Sequence, residues 1–303
     1  MHIAFVHPHR AFLPELTAYL RYFGEKGWKT SVWKTGTKEF PPDVKAVWHF
    51  MGTHYRRSEA EKKVPVIHEY ASLSVPPFRK LKDKIKALAQ TRPDFRLFSS
   101  EYIRQELGFS DGVPDGIRDM GVYPPTLPQV PDERKEYDFI YVGSMHPHRK
   151  PENILHTLSH SSLSRKKILL LGDSTEEFRN AYRDRANIVF HKPVPVSEVP
   201  YFLAKSRYAI NYIPNVAPFC YQTPTKLLEY CAMQVPVITN TTPWLTDFRK
   251  NHGGNFWVTE EMGIPTDEAL RGFPFRFPDM RPFYWETRIK NSGVEEFLST
   301  YSN

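Results

Sequence analysis

The stretch Tyr221-Gln-Thr-Pro-Thr-Lys-Leu-Leu-Glu-Tyr-Cys-Ala-Met-Gln-Val-Pro-Val-Ile238 carries the strongest indication of the fold. Thr223 is a residue type that caps helix N-termini, and Pro224 is favoured at the first helical position. The sequence therefore predicts a helix from Pro224 to Ala232, followed by a strand over 235–239. Helices that alternate with short apolar strands are typical of parallel sheets covered by helices.

Two charged side chains of this predicted helix, Lys226 and Glu229, are three residues apart and therefore share a face. Unpaired N–H groups and the helix dipole at the N-terminus, together with Lys226, suit a phosphate group. A carboxylate on the same face suits a hydroxyl-bearing part of the same ligand, such as a ribose. The pair indicates a site for an anionic, hydroxylated ligand, and a surface salt bridge is the alternative.

The alternation of strand and helix patterns runs along most of the chain. A first series extends from a strand at Ile3–Val6 to a helix at Ser100–Leu107, and a second begins with a strand at Phe139–Val142. Four prolines in Tyr123–Pro131 separate them and predict an extended linker. We expect an α/β fold with two doubly wound, Rossmann-like domains that face each other across a cleft, where such domains bind ligands.

The length of 303 residues fits two domains. We expect a first domain over 1–125, a Pro-rich linker over 126–137, a second domain over 138–285, and a C-terminal helix over 286–303 that packs back on the domains.

Composition narrows the protein class. Lys and Arg number 41 against 34 Asp and Glu, a net charge of +7 that mildly favours phosphate-bearing partners or a membrane surface. Apolar runs are far shorter than the roughly 20 residues of a transmembrane helix, and Met1–Val6 is typical of a buried strand rather than a signal peptide. The only cysteines are Cys220 and Cys231, and Cys231 lies in an apolar helical pattern that is typical of a buried free thiol. We therefore expect a cytoplasmic protein, peripheral at the membrane if it meets one.

The quoted segment resembles the donor-binding motif of GT-B glycosyltransferases, especially family four, where a P-x-K-x-x-E-Y-x-A-x-G-x-P-V-I pattern recurs. The matching residues are Pro224, Lys226, Glu229, Tyr230, Ala232, Pro236, Val237 and Ile238. Gln234 stands where the pattern has glycine. Other segments that resemble strands and loops of the same family domain are Phe139–Gly143, Ile168–Asp173 and Asn187–Val194, followed by Glu198.

The resemblance implies an enzyme that transfers a sugar from a UDP- or GDP-linked donor to a glycan or lipid-linked acceptor, a hexosyltransferase-like reaction. It implies a donor site formed by Gly143, Ser144, Arg149, Lys150, Lys192, Pro193, Val194, Tyr221, Thr223, Thr225, Lys226 and Glu229. Ser144 stands where many members have arginine, and Tyr221 where many retaining members have a first glutamate. Retention of configuration is favoured, and sugar choice stays open.

In the first domain, His68 resembles a histidine that family four members use near the donor sugar, and Glu69 beside it is a candidate base. We therefore expect His68, Glu69 and Lys226 to be the catalytic residues. His7, His9 and Arg10 follow the first strand and are candidates for acceptor binding.

Other site types are not indicated. The sequence has no Asp-x-Asp and no Cys/His spacing for zinc, so we expect no metal and no cofactor beyond the nucleotide sugar as co-substrate. No nucleotide-binding glycine motif of the nicotinamide or P-loop type is present. The basic tract Arg79–Lys86 predicts a solvated helix face, with contact to a membrane surface or a polyanion as the alternative.

Three other functions remain open. One is an inverting GT-B transferase in which Glu69 or Glu15 deprotonates the acceptor. Another is a sugar-nucleotide or glycan-binding protein without turnover. A nucleic-acid binder, suggested only by the calculated pI of about 9.2, lacks a dedicated motif, so we expect no nucleic-acid partner.

Overall fold

The computed structural model describes residues 1–8, 13–51, 54–74, 77–128, 130–150 (main chain only at 148), 152–153, 155, 165–259 and 266–301. They form two compact units, Met1–Gly121 together with Pro282–Asn303, and Val122–Arg281. No helix in the described part of the chain has the length and apolar character that crossing a bilayer requires.

The first unit is built on a parallel six-stranded sheet in the order β2-β1-β3-β4-β5-β6. Its strands are β1 (His2–His7), β2 (Lys29–Lys34), β3 (Ala46–Phe50), β4 (Val66–Tyr70), β5 (Phe95–Phe98) and β6 (Asp115–Ile117). Every residue of β1, β3, β4 and β5 is buried, as expected for strands covered on both faces.

The second unit has a parallel sheet in the order β12-β11-β10-β7-β8-β9. Its strands are β7 (Tyr137–Val142), β8 (Ile168–Leu171), β9 (Ile188–His191), β10 (Ser206–Asn211), β11 (Val237–Asn240) and β12 (Trp257–Thr259). The chain runs outward from β7 to β9, returns to β10 on the other side of β7, and runs outward again. This is the doubly wound order, and its direction reverses between β7 and β10, where such folds bind ligands.

The helices lie between these strands and after them. In the described residues they are α1 (Pro14–Glu25), α2 (Arg79–Ala89), α3 (Glu101–Leu107), α4 (Glu176–Ala181), α5 (Val199–Ala204), α6 (Thr225–Ala232), α7 (Pro243–His252), α8 (Asp267–Gly272), α9 (Trp285–Asn291) and α10 (Val294–Ser299). The end of the chain thus forms two short helices where the sequence predicted one, because Gly293 adopts a positive φ of 73° between them.

Two glycines let the C-terminal helices approach the first sheet closely. A Cβ on Gly121 would lie 2.5 Å from the indole of Trp285, and one on Gly116 would lie 1.9 Å from the carbonyl oxygen of Ser292. No side chain fits at either position, so α9 and the turn after it pack directly on the backbone around β6.

The end of α6 explains a departure from the motif. Val235 N–H donates to Tyr230 O at 2.9 Å and Gln234 N–H to Cys231 O at 3.0 Å, the paired bonds of a Schellman motif. This motif places Gln234 in the left-handed region, at φ 52°. Glycine adopts that conformation without strain, so Gln234 occupies a position where the backbone favours glycine.

Candidate functional site

Lys226 lies beside β7 and β10, the two strands between which the strand order of the second sheet reverses. It belongs to the first turn of α6, and its ammonium donates a hydrogen bond to the carbonyl oxygen of Tyr212, directly after β10, at 3.0 Å. It also lies 4.2 Å from the ring centroid of Tyr141 on β7. Burial, and secondarily the positive charge of Arg149, lowers the pKa of Lys226 to about 7. An anion bound beside this amine would favour its charged form.

Glu229 lies one turn further along α6 and is also half-buried. Burial raises the pKa of its carboxyl to about 7. Within the described residues, neither Glu229 nor Lys226 takes part in an ion pair, so the surface salt bridge considered from the sequence does not form. A cation and a carboxyl thus share a helix face with no charged partner in this part of the chain.

The start of α6 differs from the prediction. The helix begins at Thr225, its N-cap is Pro224, and no side chain caps it. Thr223 is buried, and its hydroxyl has no hydrogen-bond partner among the described residues. The prediction that Thr223 is the N-cap is wrong, because Pro224 supplies the carbonyl that accepts from Leu227 N–H at 3.0 Å. Proline has no side-chain acceptor for the first-turn N–H groups.

The loop after β7 approaches the same end of the sheet. Gly143 has a φ of 140°, and a Cβ on Gly172, after β8, would lie 2.1 Å from the Gly143 carbonyl oxygen. The carbonyl of Ser144 accepts a hydrogen bond from the Tyr141 hydroxyl at 3.3 Å. Two glycines thus bring the loops after β7 and β8 into direct contact.

Arg149 and Lys150 end this loop. The guanidinium of Arg149 lies 4.8 Å from the ring centroid of Phe219, in the segment that leads to α6. Lys150 is exposed and adopts a φ of 48°. Arg149 is near enough to lower the pKa of Lys226, so the structure brings these two predicted donor residues together.

The remaining donor candidates lie in the loop after β9 and around the start of α6. Lys192 and Pro193 are exposed and Val194 is half-buried, all in the loop after the edge strand β9. Two strand spacings, about 9–10 Å, separate β9 from β7. Tyr221 is 39% exposed and lies in the segment before α6, and half-buried Thr225 is the first residue of α6.

His68 and Glu69 are both fully buried within the first unit. The ring nitrogens of His68 lie 2.8 Å from His54 Nδ1 and 3.4 Å from the Tyr70 hydroxyl. Burial, and secondarily repulsion between the imidazoles of His49 and His68 when both are protonated, holds the pKa of His68 well below its usual value. For direct contact with a substrate, His68 would have to leave these partners.

Glu69 is held in a buried polar cluster. Its carboxylate accepts hydrogen bonds from the guanidinium of Arg118 and, at 2.9 Å, from the indole of Trp48. Arg118 also donates to the Tyr19 hydroxyl at 2.8 Å and lies 3.9 Å from a carboxylate oxygen of buried Glu15. Both bases considered for an inverting reaction therefore lie against one buried guanidinium.

The acceptor candidates are described only in part. His7 ends β1, is buried, and lies 6.3 Å from Phe50, ring to ring. His9 and Arg10 lie outside the described residues.

The sequence did not predict several side chains that contact Lys226 and Glu69. Tyr141 and Tyr212 contact Lys226 from the ends of neighbouring strands, and an aromatic residue at the end of a predicted strand is the only sequence signal they carry. Arg118 carries no signal, because its partner Glu69 lies 49 residues away.

No protein-family model and no curated protein sequence matches the chain. Its structure resembles sucrose-phosphate synthase from Thermosynechococcus elongatus, with a TM-score of 0.61, 11% identity, and coverage of 100% of this chain and 95% of that one. It also resembles Anabaena HepE in complex with UDP and glucose, with a TM-score of 0.60, 8% identity, and coverage of 99% and 95%.

The chain has the GT-B fold. The prediction of two doubly wound, Rossmann-like domains is thereby confirmed. The GT-B likeness extends to a UDP-GlcNAc 2-epimerase from Methanocaldococcus jannaschii, with a TM-score of 0.51, 11% identity, and coverage of 99% and 100%. At such identities the likeness is one of fold, so the reaction must be argued from the site.

Proposed function

We propose that this protein is a glycosyltransferase that transfers a sugar from a UDP- or GDP-linked donor to a glycan or lipid-linked acceptor. The observation that carries the proposal is the pair Lys226 and Glu229 on one face of α6. Both side chains are half-buried, neither forms an ion pair with a described residue, and Lys226 lies beside β7 and β10, between which the strand order reverses. The resemblance of this segment to the family four donor motif supports the same assignment.

The chemical task is to stabilise the negative charge that develops on the departing nucleoside diphosphate. Lys226, Arg149 and Lys150 carry positive charges for this, and the uncapped N-terminus of α6 offers N–H groups to a phosphate oxygen. We assign the ribose hydroxyls to Glu229 and the nucleobase to the loop Lys192–Val194. With these charges in place, we propose that the transfer step needs no metal ion.

Retention of configuration is supported by the state of the two candidate bases. An inverting transfer needs a carboxylate that reaches the acceptor hydroxyl, and both Glu69 and Glu15 are buried against Arg118. We therefore give these carboxylates a structural role. His68 is hydrogen-bonded to His54 and Tyr70, and we propose that it orients these two side chains within the first unit.

A lipid-linked acceptor is supported by helix α2, which turns its apolar stripe outward. Leu81, Ile85 and Leu88 are 58%, 56% and 78% exposed, whereas Asp83 is buried and accepts a hydrogen bond from Ser74 N–H at 2.8 Å. Exposed lysines flank the stripe on both sides, at positions 80, 82, 84 and 86. This is the pattern of a helix that lies in the interface of an anionic bilayer.

Vesicle co-sedimentation tests the membrane assignment. The protein should bind phosphatidylcholine vesicles that contain phosphatidylglycerol, and less well vesicles of phosphatidylcholine alone. The variant Leu81→Ser/Ile85→Ser should lose this binding, while Leu127→Ser, which changes an exposed leucine in the other unit, should keep it. Equal binding by all three proteins would contradict the assignment.

Transfer is tested by incubating the protein with UDP-, GDP- and ADP-sugars in EDTA, with lipid-linked and oligosaccharide acceptors. Release of nucleoside diphosphate that depends on acceptor is expected, and NMR of the product should give the anomeric configuration of the donor. An inverted product would support the alternative base mechanism. Tight nucleotide binding without turnover would support a binding protein, and conversion of the donor sugar without transfer would support an epimerase.

A further inference from the structure

A cluster of buried histidines lies in the first unit, away from α6. His49 on β3 and His68 on β4 are direct neighbours in the parallel register, so their side chains point to the same face of the sheet. The connection between these strands carries His54 and Glu61 over that face. All four side chains are buried.

Three ligand-type atoms of this cluster converge. Nε2 of His49 lies 2.6 Å from Oε1 of Glu61, and Nε2 of His54 lies 3.3 Å from the same oxygen. All three atoms lie within 4.8 Å of one another. Nitrogen and oxygen ligands bound at about 2.0–2.1 Å around one tetrahedral ion are themselves about 3.3 Å apart. The separation of His54 Nε2 and Glu61 Oε1 matches this value. His49 lies closer to Glu61 and stacks on His54 with ring centroids 3.9 Å apart, so its ring must turn to bind the same ion.

One atom of the cluster has no hydrogen-bond partner. Nε2 of His54 is buried and makes no hydrogen bond of acceptable geometry with a described residue, although it faces the Glu61 carboxylate. The other nitrogen of His54, Nδ1, lies 2.8 Å from His68 Nε2. In the tautomer in which Nδ1 donates to His68, Nε2 carries the lone pair that a metal ion binds.

Neighbouring groups hold the ligands in place. Glu61 Oε2 accepts a hydrogen bond from Ser58 N–H at 2.6 Å, which leaves Oε1 directed at the two histidines. Outer hydrogen bonds of this kind orient the carboxylate ligands of metal ions.

We propose that His49, His54 and Glu61 bind a divalent cation of the zinc class. Two imidazoles and one carboxylate favour zinc over magnesium or calcium, which take mainly oxygen ligands. Three protein ligands leave one position for water. The ion joins β3 to the connection that precedes β4, and this role in the first unit is independent of the metal-free transfer proposed for α6.

Metal content and thermal stability test the site. The protein, free of any histidine tag, is produced in zinc-supplemented medium, dialysed, and analysed by mass spectrometry of metals. One zinc per chain is expected, with a lower Tm after treatment with EDTA and recovery on adding Zn²⁺. A protein that retains no zinc, and whose Tm does not respond to Zn²⁺ after EDTA, would overturn the proposal.

Variants locate the ion. His54→Gln and Glu61→Gln should lose the zinc and the response of Tm to Zn²⁺. The matched control is His2→Gln, which changes another buried histidine, 3.1 Å from a carboxylate oxygen of Asp43. Among the described residues, this pair belongs to no group of three metal-ligand side chains. The control variant should retain the zinc. Unchanged zinc content in both cluster variants would overturn the proposal.

X-ray absorption on the wild-type protein keeps the test decisive if the variants fold poorly. A shell of nitrogen and oxygen at about 2.0–2.1 Å with no sulfur is expected. A sulfur shell at about 2.3 Å would place the zinc on Cys220 or Cys231 and overturn the assignment.

Discussion

The ammonium of Lys226 donates to the carbonyl oxygen of Tyr212 at 3.0 Å and thereby joins the first turn of α6 to the end of β10. This contact holds a half-buried amine beside the point where the strand order reverses, and its hydrogen-bond acceptor is an uncharged carbonyl. A diphosphate would offer charged oxygens at the same place, and their attraction to the ammonium is stronger than that of the uncharged carbonyl oxygen. The hydrogen bond between Lys226 and Tyr212 therefore indicates that the amine is already positioned in the absence of ligand.

The variant Lys226→Met should lose transfer activity and gain stability. Loss of a preorganised charge at the developing oxyanion costs about 10²- to 10³-fold in kcat. Below pH 7 the folded protein holds a charged, half-buried amine without an acidic partner, so its replacement should raise the urea midpoint. This gain should shrink as pH rises from about 7 towards the unfolded lysine pKa of about 10.4, because the folded state then carries the neutral amine.

The matched control for this variant is Lys205→Met. Lys205 forms an ion pair with Glu136 at 2.6 Å in the same unit. It should keep full activity and gain no stability. If both variants lost activity equally, Lys226 would have no special role.

A plot of donor affinity against pH should be bell-shaped, with its maximum near pH 7. A diphosphate favours charged Lys226, so affinity should fall up to tenfold per pH unit as pH rises above about 7. Ribose hydroxyls that donate to Glu229 favour its ionised form, so affinity should also fall as pH drops below about 7.

Two variants separate the limbs of this bell. Lys226→Arg cannot lose its charge and should remove the alkaline limb, whereas Glu229→Gln should remove the acid limb at lower affinity. Calorimetric titration between about pH 5 and about pH 9 measures both. An affinity of wild type that does not vary with pH would contradict the assigned roles.

The Glu69–Arg118 pair should matter for folding rather than for chemistry. Arg118→Met leaves a buried carboxylate without its partner and should lower the free energy of unfolding by about 3–5 kcal/mol. The double variant Arg118→Met/Glu69→Gln should be more stable than Arg118→Met alone. Urea denaturation measures both.

Glu69→Gln by itself should keep kcat, measured per folded molecule. A general base contributes about 10²- to 10⁴-fold. A loss of that size in Glu69→Gln would instead support the inverting mechanism.

Replacement of Gln234 by glycine should stabilise the protein by about 0.5–1 kcal/mol, because the left-handed conformation at the end of α6 costs glycine nothing. The control is Gln222→Gly, where the backbone is extended at φ −93° and ψ 146°. That change should lower stability, since glycine gains freedom in the unfolded chain. If both variants shifted the urea midpoint in the same direction, the claim that Gln234 is strained in the left-handed conformation would be contradicted.

Most of the fold could be predicted from the sequence, because buried strands of parallel sheets are short apolar runs separated by helical patterns. Strands β6 and β12 were missed, since Asp115–Ile117 and Trp257–Thr259 are only three residues long. Helix α7 was also missed, although Thr242 caps it by accepting from Leu245 N–H at 3.2 Å. Its amphipathic pattern is weak because aromatic and charged residues are mixed along it.

The candidate site was predictable where one helix carries it. Lys226 and Glu229 are close in sequence, so their shared face follows from helical spacing. The His49, His54, Glu61 cluster was missed, because its ligands come from a strand and from the connection after it, without a regular spacing. The apolar stripe of α2 was visible in the sequence, but only the structure shows it turned outward.

The most direct test of the central claim is calorimetric binding of UDP, GDP and ADP in EDTA to wild type, Lys226→Met, Glu229→Ala and the control Lys205→Met. One nucleoside diphosphate should bind wild type and the control, and at 100 times its Kd it should add about 2.7 kcal/mol of stability. Both α6 variants should lose this binding. Absence of binding to wild type, or equal binding by all four proteins, would contradict the claim that α6 forms a nucleotide-sugar site.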